Sequence, residues 1–430
     1  MKKLLLILLC LPMIGLGQNV NIPDANFKAY LVGNTAINTN GDAEIQVSEA
    51  IVFNGTIDCN NLNISDLTGI EEFTDLDILR CANNQLTSLD ISNNTALNLF
   101  QCQNNDLTSL DVSNNTALTF LFCSGNPLTN LDVTNNIALI LLQCNGNDLT
   151  SLDVSTNTAL TTLYCQDNQL TSLDVSANTA LTTLHCYLNQ LTILDISNDT
   201  ALTELSCYFN QLTSLDVSNN TALNTLYCSN NNLTDLDVLN NTQLLNLQCE
   251  ANILTDLTFN SSLVSLDCFN NQLTTLDLSN NSNLTFLNCS YNNFTKINLR
   301  NGNNQSLISP NFTGNPYCSC IAVDDPPESD DDWPWDDPWS VYSTSCSDTN
   351  SWNCITNQCL GDSTGQGTYT ILNNCKTTCG VSSVLDNNNR QTKDMIKIVD
   401  ILGRESNTQN SKFLFYIYDD GTVEKRIIIE

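Results

Sequence analysis

The sequence predicts a repeat solenoid, mostly β, in which short parallel strands stack turn upon turn. The first observation behind this prediction is the spacing of the cysteines, because from Cys81 to Cys249 one recurs every 21 residues. A fixed period of this length is typical of a chain that coils into successive, similar turns. The second observation is a pattern, Leu-x-x-Leu-x-apolar-x-x-Asn, which occurs twice in each period.

Each half of a repeat unit is predicted to hold one short strand. In the unit from Leu128 to Asn147, both halves fit the pattern, and its alternating apolar residues point two side chains inward. Stacking then buries columns of Leu, Val and Cys. The Asn side chains turn the chain and are expected to bond backbone groups of the neighbouring turn. We expect about eleven turns, with a local kink or a tightened turn near Leu254, where the unit is two residues short and lacks its Asn.

The repeat cysteines occupy an inward position, and the sequence predicts that they are free, buried thiols. On adjacent parallel turns their Cβ atoms should lie ~4.8 Å apart, whereas a disulfide prefers ~3.5–4.5 Å. A buried thiol packs as a small apolar group. The alternative is a column of metal thiolates, which would need converging ligands rather than one cysteine per turn.

Composition and charge exclude several classes of function. The chain has 430 residues and a formal net charge of -32, which argues against binding to nucleic acid or anionic membranes. His185 is the single histidine, so catalysis by histidine is improbable. The sequence contains no Gly-x-Ser-x-Gly elbow, phosphate-binding glycine loop or His-Glu-x-x-His helix. The protein is therefore predicted not to be an enzyme.

The repeat units resemble leucine-rich repeats of the LTxLxCxxNQLTSLDVSNNTA form, which is common in surface proteins of Bacteroidota. This resemblance runs from about Leu62 to Leu299. Residues 393–430 resemble the C-terminal sorting domain of type IX secretion cargo, with the elements IVDILGRE and YIYDDGT and a basic-apolar end in the expected order. The resemblance implies export across the outer membrane by the type IX secretion machinery. The alternative for this tail is a small structural β domain.

The start of the chain reads as a secretory signal peptide, because Lys2 and Lys3 precede an apolar run from Leu4 to Leu16. That run is too short to span a bilayer. The predicted domains are a signal peptide (1–17), an N-terminal cap (18–61), leucine-rich repeats (62–305), a C-terminal cap (306–347), a disulfide-rich module (348–380) and the sorting domain (381–430).

Seven cysteines follow the repeats. The segment from Cys320 to Cys346 resembles the C-terminal cap of the same repeat proteins, and that resemblance suggests a Cys320–Cys346 disulfide. Disulfides are also predicted in the module after the cap, with three possible pairings, among Cys354, Cys359, Cys375 and Cys379. Zinc binding by these four residues is the alternative. Cys318 is left unassigned.

One segment before the repeats matches the ligand pattern of a calcium-binding loop. Set against the EF-hand loop, positions 1, 3, 5, 7 and 12 are Asn38, Asn40, Asp42, Glu44 and Glu49. Two departures weaken the match, Asn at position 1 and Ala43 where the sharp turn favours Gly. The alternative is a polar turn in the N-terminal cap. No cofactor is otherwise predicted.

The residues on either side of each repeat cysteine vary while the framework positions do not. Such variation on a rigid scaffold is typical of a contact surface. The candidate ligand-binding residues there are Phe122, Tyr164, His185, Tyr187, Tyr208, Tyr227 and Phe269. Exposed aromatic rings stack on sugars or anchor protein partners. The alternative is that strand surfaces simply tolerate aromatic side chains.

Together these features predict a secreted or cell-surface protein, on the exterior of the outer membrane, that binds an extracellular protein or polysaccharide without catalysis. The alternative function is a structural spacer of the cell envelope or matrix. It rests on an outward column of aspartates, one per turn from Asp90 to Asp237 and again at Asp277, which could bind calcium weakly. The chain is not expected to span a membrane or to bind nucleic acid.

Overall fold

The repeats form a parallel β-solenoid of about 13 turns, with strands stacked at 21-residue spacing. The computed structural model describes residues 17–325, 333, 337, 340–344 and 346, and the backbone of 351–355, 358–362, 395–400, 413–418 and 423–427. The predicted signal peptide therefore lies almost wholly outside the described residues. The domain boundaries stay predictions.

Two helices precede the strands, α1 (Ala25–Gly33) and α2 (Val47–Ala50). The strands of the solenoid are, in chain order, β1 Thr56–Asp58, β2 Ile78–Arg80, β3 Leu99–Gln101, β4 Phe120–Phe122, β5 Leu141–Gln143, β6 Thr162–Tyr164, β7 Thr183–His185, β8 Glu204–Ser206, β9 Thr225–Tyr227, β10 Asp235–Asp237, β11 Asn246–Gln248, β12 Asp256–Thr258, β13 Ser265–Asp267, β14 Thr275–Asp277, β15 Phe286–Asn288, β16 Lys296–Asn298, β17 Cys320–Ala322 and β18 Val341–Ser343. Two 3-10 helices span Ile70–Glu72 and Asn304–Ser306.

The main sheet contains twelve parallel strands, which run in the order β1–β9, β11, β13 and β15. Each strand has three residues. The middle one is a buried apolar residue, and its neighbours on both sides are at least partly exposed, except for the buried Ser206. The register pairs equivalent residues of successive turns, as in Leu163 with Leu184. A bridge between Asn288 and Asn311 adds one more turn. The prediction of eleven turns was therefore slightly low, because it omitted the turns at the two ends.

The second half of each turn departs from the prediction. Regular strands form there only late in the chain, as the pair β10–β12 and the sheet β14–β16–β17–β18. In earlier turns a single backbone bond joins neighbouring turns at the start of this half, as from the Gln169 nitrogen to the Leu149 oxygen. The following Asp then accepts a bond from a backbone nitrogen two residues on, as Asp174 does from Ser176. The same bond forms at Asp237 and Asp277, which end strands β10 and β14, so this turn is compatible with either local structure.

Two ladders of buried asparagines join the turns. In the ladder that follows the cysteines, Asn168 Nδ2 donates to the carbonyls of Cys144 and Cys165, and its Oδ1 accepts from the Leu149 nitrogen. In the other ladder, Asn178 Nδ2 donates to the carbonyls of Val154 and Asn157. These bonds satisfy backbone groups that the turn leaves unpaired, which confirms the predicted ladder.

The shortened unit near Leu254 keeps its place in the ladder. Asn260 Nδ2 donates to the carbonyls of Val238 and Asn241, as the asparagines of full-length units do. The expectation that this unit lacks its ladder residue was wrong, because the shorter turn brings Asn260 into the position. Strands β11 and β13 on either side remain paired in register.

The repeat cysteines are free and buried, as predicted, from Cys59 to Cys289. Their sulfurs lie near carbonyls of the next turn, as Cys81 Sγ does at 3.3 Å from the Gln101 oxygen. Burial raises the pKa of the Cys144 thiol to about 12. Because thiolates are the reactive form, the column is chemically inert and serves as part of the apolar core.

Both ends of the solenoid are covered. At the N-terminal end, the Asp24 carboxylate accepts bonds from the nitrogens of Asn26 and Phe27 and so caps α1, which buries Phe27 and Leu31. At the C-terminal end, a disulfide joins Cys320 to Cys346, the pair that the resemblance suggested, with Cα atoms 5.9 Å apart. Cys318 is free and buried there.

The remaining strands are β19 Ser351–Ile355 and β20 Gln358–Asp362, which pair antiparallel, and β21 Met395–Asp400, β22 Phe413–Tyr418 and β23 Val423–Ile427. The last three form an antiparallel sheet where the sequence predicts short strands of a small β module. In the first pair the register sets Cys354 opposite Cys359. The predicted disulfides of Cys354, Cys359, Cys375 and Cys379 lie outside the described side chains.

Candidate recognition face

The outward surface of the main sheet presents three side chains per turn: the first residue of the strand, the residue before each repeat cysteine and the residue after it. We call this surface the Cys-strand face. Parallel register aligns equivalent positions, so Tyr164 lies beside His185, and Ser206 lies between His185 and Tyr227. All seven predicted ligand-binding residues are partly exposed on this face.

Four of these seven residues form a continuous chain of ring contacts. The rings of Tyr187 and Tyr208 are stacked, with centroids 4.1 Å apart and planes 10° from parallel. The ring of His185 lies 4.8 Å from that of Tyr164 and 6.0 Å from that of Tyr187. Three consecutive turns therefore share one aromatic surface.

Two further residues of this surface were missed by sequence reasoning. Leu188 and Phe209 follow the stacked tyrosines, and each is 44% exposed. The Phe209 ring contacts that of Tyr208 at 5.8 Å. Together with the four residues above they form what we call the aromatic cluster, whose members are Tyr164, His185, Tyr187, Leu188, Tyr208 and Phe209.

Leu188 and Phe209 also hold a left-handed backbone, with φ of 53° and 51°. Equivalent positions of most other turns hold Asn, Asp or Gly, as at Asn104, Gly146 and Asp167. A bulky L-residue is disfavoured in this region by roughly 1–2 kcal/mol. The departure from Asn, Asp or Gly two residues after the cysteine is the sequence signal that identifies these residues. Such strain is concentrated at functional sites in proteins generally.

The other three predicted residues lie apart from this cluster. Phe122 lies between Gln101 and Gln143 in the sheet. Tyr227 lies between Ser206 and Gln248. Phe269 makes an edge contact with Tyr291 at 5.5 Å, and Tyr291 is another bulky residue with positive φ, at 54°.

The face carries negative charge next to its aromatic rings. Glu204 Oε1 lies 2.9 Å from His185 Nε2, at the edge of the aromatic cluster. Two turns beyond Tyr208, burial raises the pKa of the Glu250 carboxyl, and burial likewise raises that of Asp267 on the next turn. We call Glu250 and Asp267 the acidic pair.

The pKa of the Tyr208 hydroxyl lies above its usual value for two reasons. Burial raises the pKa of its hydroxyl to about 12, and a hydrogen bond with Tyr187 adds to the shift. The hydroxyl therefore stays neutral at all physiological pH values. The stacked pair is a neutral, rigid surface that offers apolar ring faces and polar edges.

The predicted calcium loop is held together by its own hydrogen bonds. Asn38 Nδ2 donates to the carbonyls of Val32 and Asp42, and Glu44 pairs with Lys28 at 2.7 Å. Glu49 Oε1 accepts from both the nitrogen and hydroxyl of Thr39 and from the Asn40 nitrogen.

These contacts direct the five predicted ligands to different partners. No group of three or more His, Cys, Asp or Glu in the part of the chain that the structure describes is arranged to hold a metal ion. The polar turn that was the alternative interpretation accounts for every contact above. Calcium binding here stays a prediction.

The aspartate column has a structural explanation. Each member accepts a bond from the backbone nitrogen two residues on, as Asp153 does from Ser155 at 2.9 Å. Bonds from the Ser155 side chain and backbone lower the pKa of the Asp153 carboxyl. These bonds stabilise the ionised form and offset the repulsion between neighbouring turns. The column is therefore explained without a bound cation.

Comparison with known proteins places this geometry among leucine-rich repeat proteins. The structure is similar to the functional domain of InlJ from Listeria monocytogenes, which includes a cysteine ladder. The similarity covers 95% of this chain and 97% of the InlJ chain, with 27% identity and a TM-score of 0.57. An internalin, InlF, from the same species is similar over 72% of this chain and 92% of its own, with 22% identity and a TM-score of 0.59.

Sequence comparisons match shorter segments. Residues 81–102, 101–123, 187–210 and 268–292 match the model of the LVIVD repeat. Internalin J of Listeria monocytogenes serotype 4b is 50% identical over 40 residues, a stretch that covers 9% of this chain and only 4% of that protein.

By its fold the chain is a leucine-rich repeat solenoid similar to those of internalins. No helix among the described residues is long and apolar enough to cross a bilayer. The outward residues of the Cys-strand face, with its aromatic cluster, differ from turn to turn, while the buried middle residue of the main-sheet strands is leucine in all but β1 and β3.

Proposed function

We propose that this chain is a non-enzymatic, secreted or cell-surface protein that binds an extracellular protein through the Cys-strand face. The observation that carries the proposal is the aromatic cluster. Five rings from three adjacent turns are in contact there, and Leu188 follows one of them in the chain. Leu188 and Phe209 hold a disfavoured backbone conformation. The fold does not need a bulky side chain at these two positions. Contact with a partner would offset the free energy that the left-handed backbone costs there.

The scaffold supports such a role. Twelve parallel strands and two asparagine ladders hold the face rigid, so binding costs little conformational entropy. Stacked tyrosines present large contact areas on side chains that are already ordered. The similarity to internalins supports a surface or secreted location, and we propose that residues 1–17 and 381–430 direct export, the latter through the type IX machinery.

A triple variant tests the proposal. The full chain with Tyr164→Ala, Tyr187→Ala and Tyr208→Ala is compared with the natural chain on arrays of extracellular proteins and of glycans. We expect a protein target whose affinity falls at least tenfold in the variant. The melting temperature should change little, since these side chains lie outside the Leu and Cys core.

The matched control is Tyr317→Ala, which removes an exposed aromatic ring elsewhere on the surface. It should leave binding unchanged. Equal binding by the natural chain and the triple variant would contradict the proposed face. Tyrosine-dependent binding to glycans alone would contradict a protein partner and favour a polysaccharide.

A further inference from the structure

The repeats contain almost no positive charge. Between Arg80 and Lys296 the sequence has no lysine or arginine, and His185 is the single histidine. Of the outward residues on the Cys-strand face in this stretch, Glu204, Glu250 and Asp267 are acidic. A basic partner would therefore meet no lysine or arginine on the part of the face that follows Arg80.

The residues that directly follow the cysteines form a column along the solenoid, in which aromatic and acidic side chains occur on nearby turns. It runs Tyr187, Tyr208, Ser229, Glu250 and Phe269 on five successive turns. Aromatic rings thus lie on both sides of a carboxylate. Tyr208 and Glu250 are two turns apart, which corresponds to about 10 Å at the usual spacing of parallel strands.

One oxygen of the Glu250 carboxylate accepts no hydrogen bond from the described residues. This oxygen, Oε2, is buried. Asp267, by contrast, accepts bonds from the Phe269 nitrogen and from Asn288 Nδ2. A side-chain hydrogen bond with Ser229 stabilises the Glu250 carboxylate only in part, because burial still raises the pKa of Glu250, and a cation beside it would offset that cost.

We infer that the partner is a polypeptide segment that lies along this column in an extended conformation, with an apolar or aromatic side chain on the Tyr187–Tyr208 stack and an arginine or lysine at Glu250. An extended chain advances about 3.3 Å per residue, so the two partner residues are three apart in sequence. Arginine suits the second position best, because its planar guanidinium pairs with the carboxylate while it stacks on Phe269. This inference rests on the proposed function and names the chemistry of its partner.

A random library of ten-residue peptides displayed on phage is the probe. It is selected on the full chain and counter-selected on the Tyr187→Ala, Tyr208→Ala variant. We expect enriched sequences to carry arginine or lysine three residues from an aromatic or aliphatic residue. Enrichment that depends on the tyrosines but shows no basic residue would overturn this inference and leave the proposed function standing. Absence of any tyrosine-dependent enrichment would count against both.

An enriched peptide is then synthesised with its basic residue and with glutamine in its place. The basic peptide should bind at least tenfold more tightly, and added salt should weaken it selectively. In the Glu250→Gln variant this preference should disappear. The matched control, Asp256→Asn, removes one negative charge from strand β12, outside the face. This variant should retain the preference for the basic peptide. A preference that survives Glu250→Gln would overturn the assignment.

Discussion

Leu188 and Phe209 show how a single backbone position separates stability from function. Backbone hydrogen bonds between turns hold both residues in place. The Leu188 nitrogen donates to the Tyr208 oxygen, and the Phe209 nitrogen donates to the Ser229 oxygen. The turn must therefore be left-handed whichever side chain occupies it. Asparagine tolerates that conformation better than leucine or phenylalanine does.

We expect Leu188→Asn and Phe209→Asn each to raise the free energy of unfolding by about 1 kcal/mol, because both relieve left-handed strain. Both should weaken partner binding. The measurements are denaturant titration and a binding assay on the same samples. The reverse change, Asn230→Leu, should destabilise by a similar amount. Loss of stability in both asparagine variants would contradict this account.

Asp199 interrupts a ladder that asparagines build on neighbouring turns. Asn178 and Asn220 each donate two bonds to carbonyls, whereas both carboxyl oxygens of Asp199 are buried without a partner among the described residues. Burial, with smaller contributions from Asp195 and Asp174, raises the pKa of Asp199 to about 7. In an unfolded chain the value is near 3.9.

This shift predicts a pH-dependent stability. Because the folded pKa is raised, the ionised Asp199 destabilises the fold above about pH 7, and the penalty disappears as pH falls towards about 4. Asp199→Asn restores two hydrogen bonds and removes the buried charge. We expect it to raise the free energy of unfolding by about 2 kcal/mol at pH 8 and by less at pH 5.

Denaturant titration at both pH values measures the effect. The control is Asp111→Asn, the same change in the aspartate column four turns away, where the exposed side chain accepts a bond from the Ser113 nitrogen. An amide oxygen accepts this bond as well, so stability should change little. An equal gain from both variants, or no pH dependence, would show that Asp199 is not the cause.

At the scale of elements, the cysteine column and the strands form one apolar core. The sulfurs are buried, and burial raises the thiol pKa along the column, to about 12 at Cys144. We expect iodoacetamide at pH 8 to leave the cysteines from Cys81 to Cys289 unmodified in the folded protein and to modify them in guanidinium chloride. Peptide mapping by mass spectrometry reads out each residue. Rapid modification of Cys165 in the folded protein would place the sulfurs outside.

The loop between α1 and α2 allows a test of calcium binding. Calcium would have to displace Lys28 from Glu44 and break the bonds from Thr39 and Asn40 to Glu49. If the ion binds as the EF-hand pattern predicts, calorimetry should give a dissociation constant that rises in Asp42→Asn. No heat at millimolar calcium would instead favour the polar turn. The Asp75→Asn variant, at an exposed residue outside the loop, serves as control.

For the whole molecule, the C-terminal end covers the apolar face that the last turn would expose. The Cys320–Cys346 disulfide closes a loop with a sequence separation of 26 and ties β17 to the chain beyond β18. Phe312, Trp333 and Tyr342 meet beside it, with ring centroids 5.7–6.4 Å apart. A solenoid depends on such covers because each turn contacts only its neighbours.

We expect Cys320→Ser with Cys346→Ser to lower the free energy of unfolding by about 3 kcal/mol, since the loop constraint on the unfolded chain is lost. Melting of the last turns should begin earlier than that of the middle ones. Hydrogen exchange followed by mass spectrometry resolves the two regions. Uniform loss of protection along all turns would contradict a local role for this end. Reducing agent should reproduce the effect in the natural chain.

Much of the fold follows from the sequence because its signals are local and repeated. Leucines at fixed spacing predicted the buried strand centres, and Cys320 and Cys346 were paired by resemblance. The second strand of each turn was predicted too widely. The same bond from an Asp to the nitrogen two residues on is present at Asp237, which ends a strand, and at Asp174, which does not, so the local pattern does not separate the two cases. At the candidate site, Tyr187 and Tyr208 were predicted, whereas Leu188 and Phe209 were not.

By itself the sequence determined the period, the inward columns, the free thiols and the negative charge, because each depends on residue type at regular spacing. Only the tertiary structure decided which outward residues meet. Stacking brings residues 21 positions apart to one strand spacing, so Tyr187 touches Tyr208 while Phe122 and Tyr227 lie apart from them. The backbone angle of Leu188, too, is imposed by bonds from neighbouring turns, which no local pattern in its own segment contains.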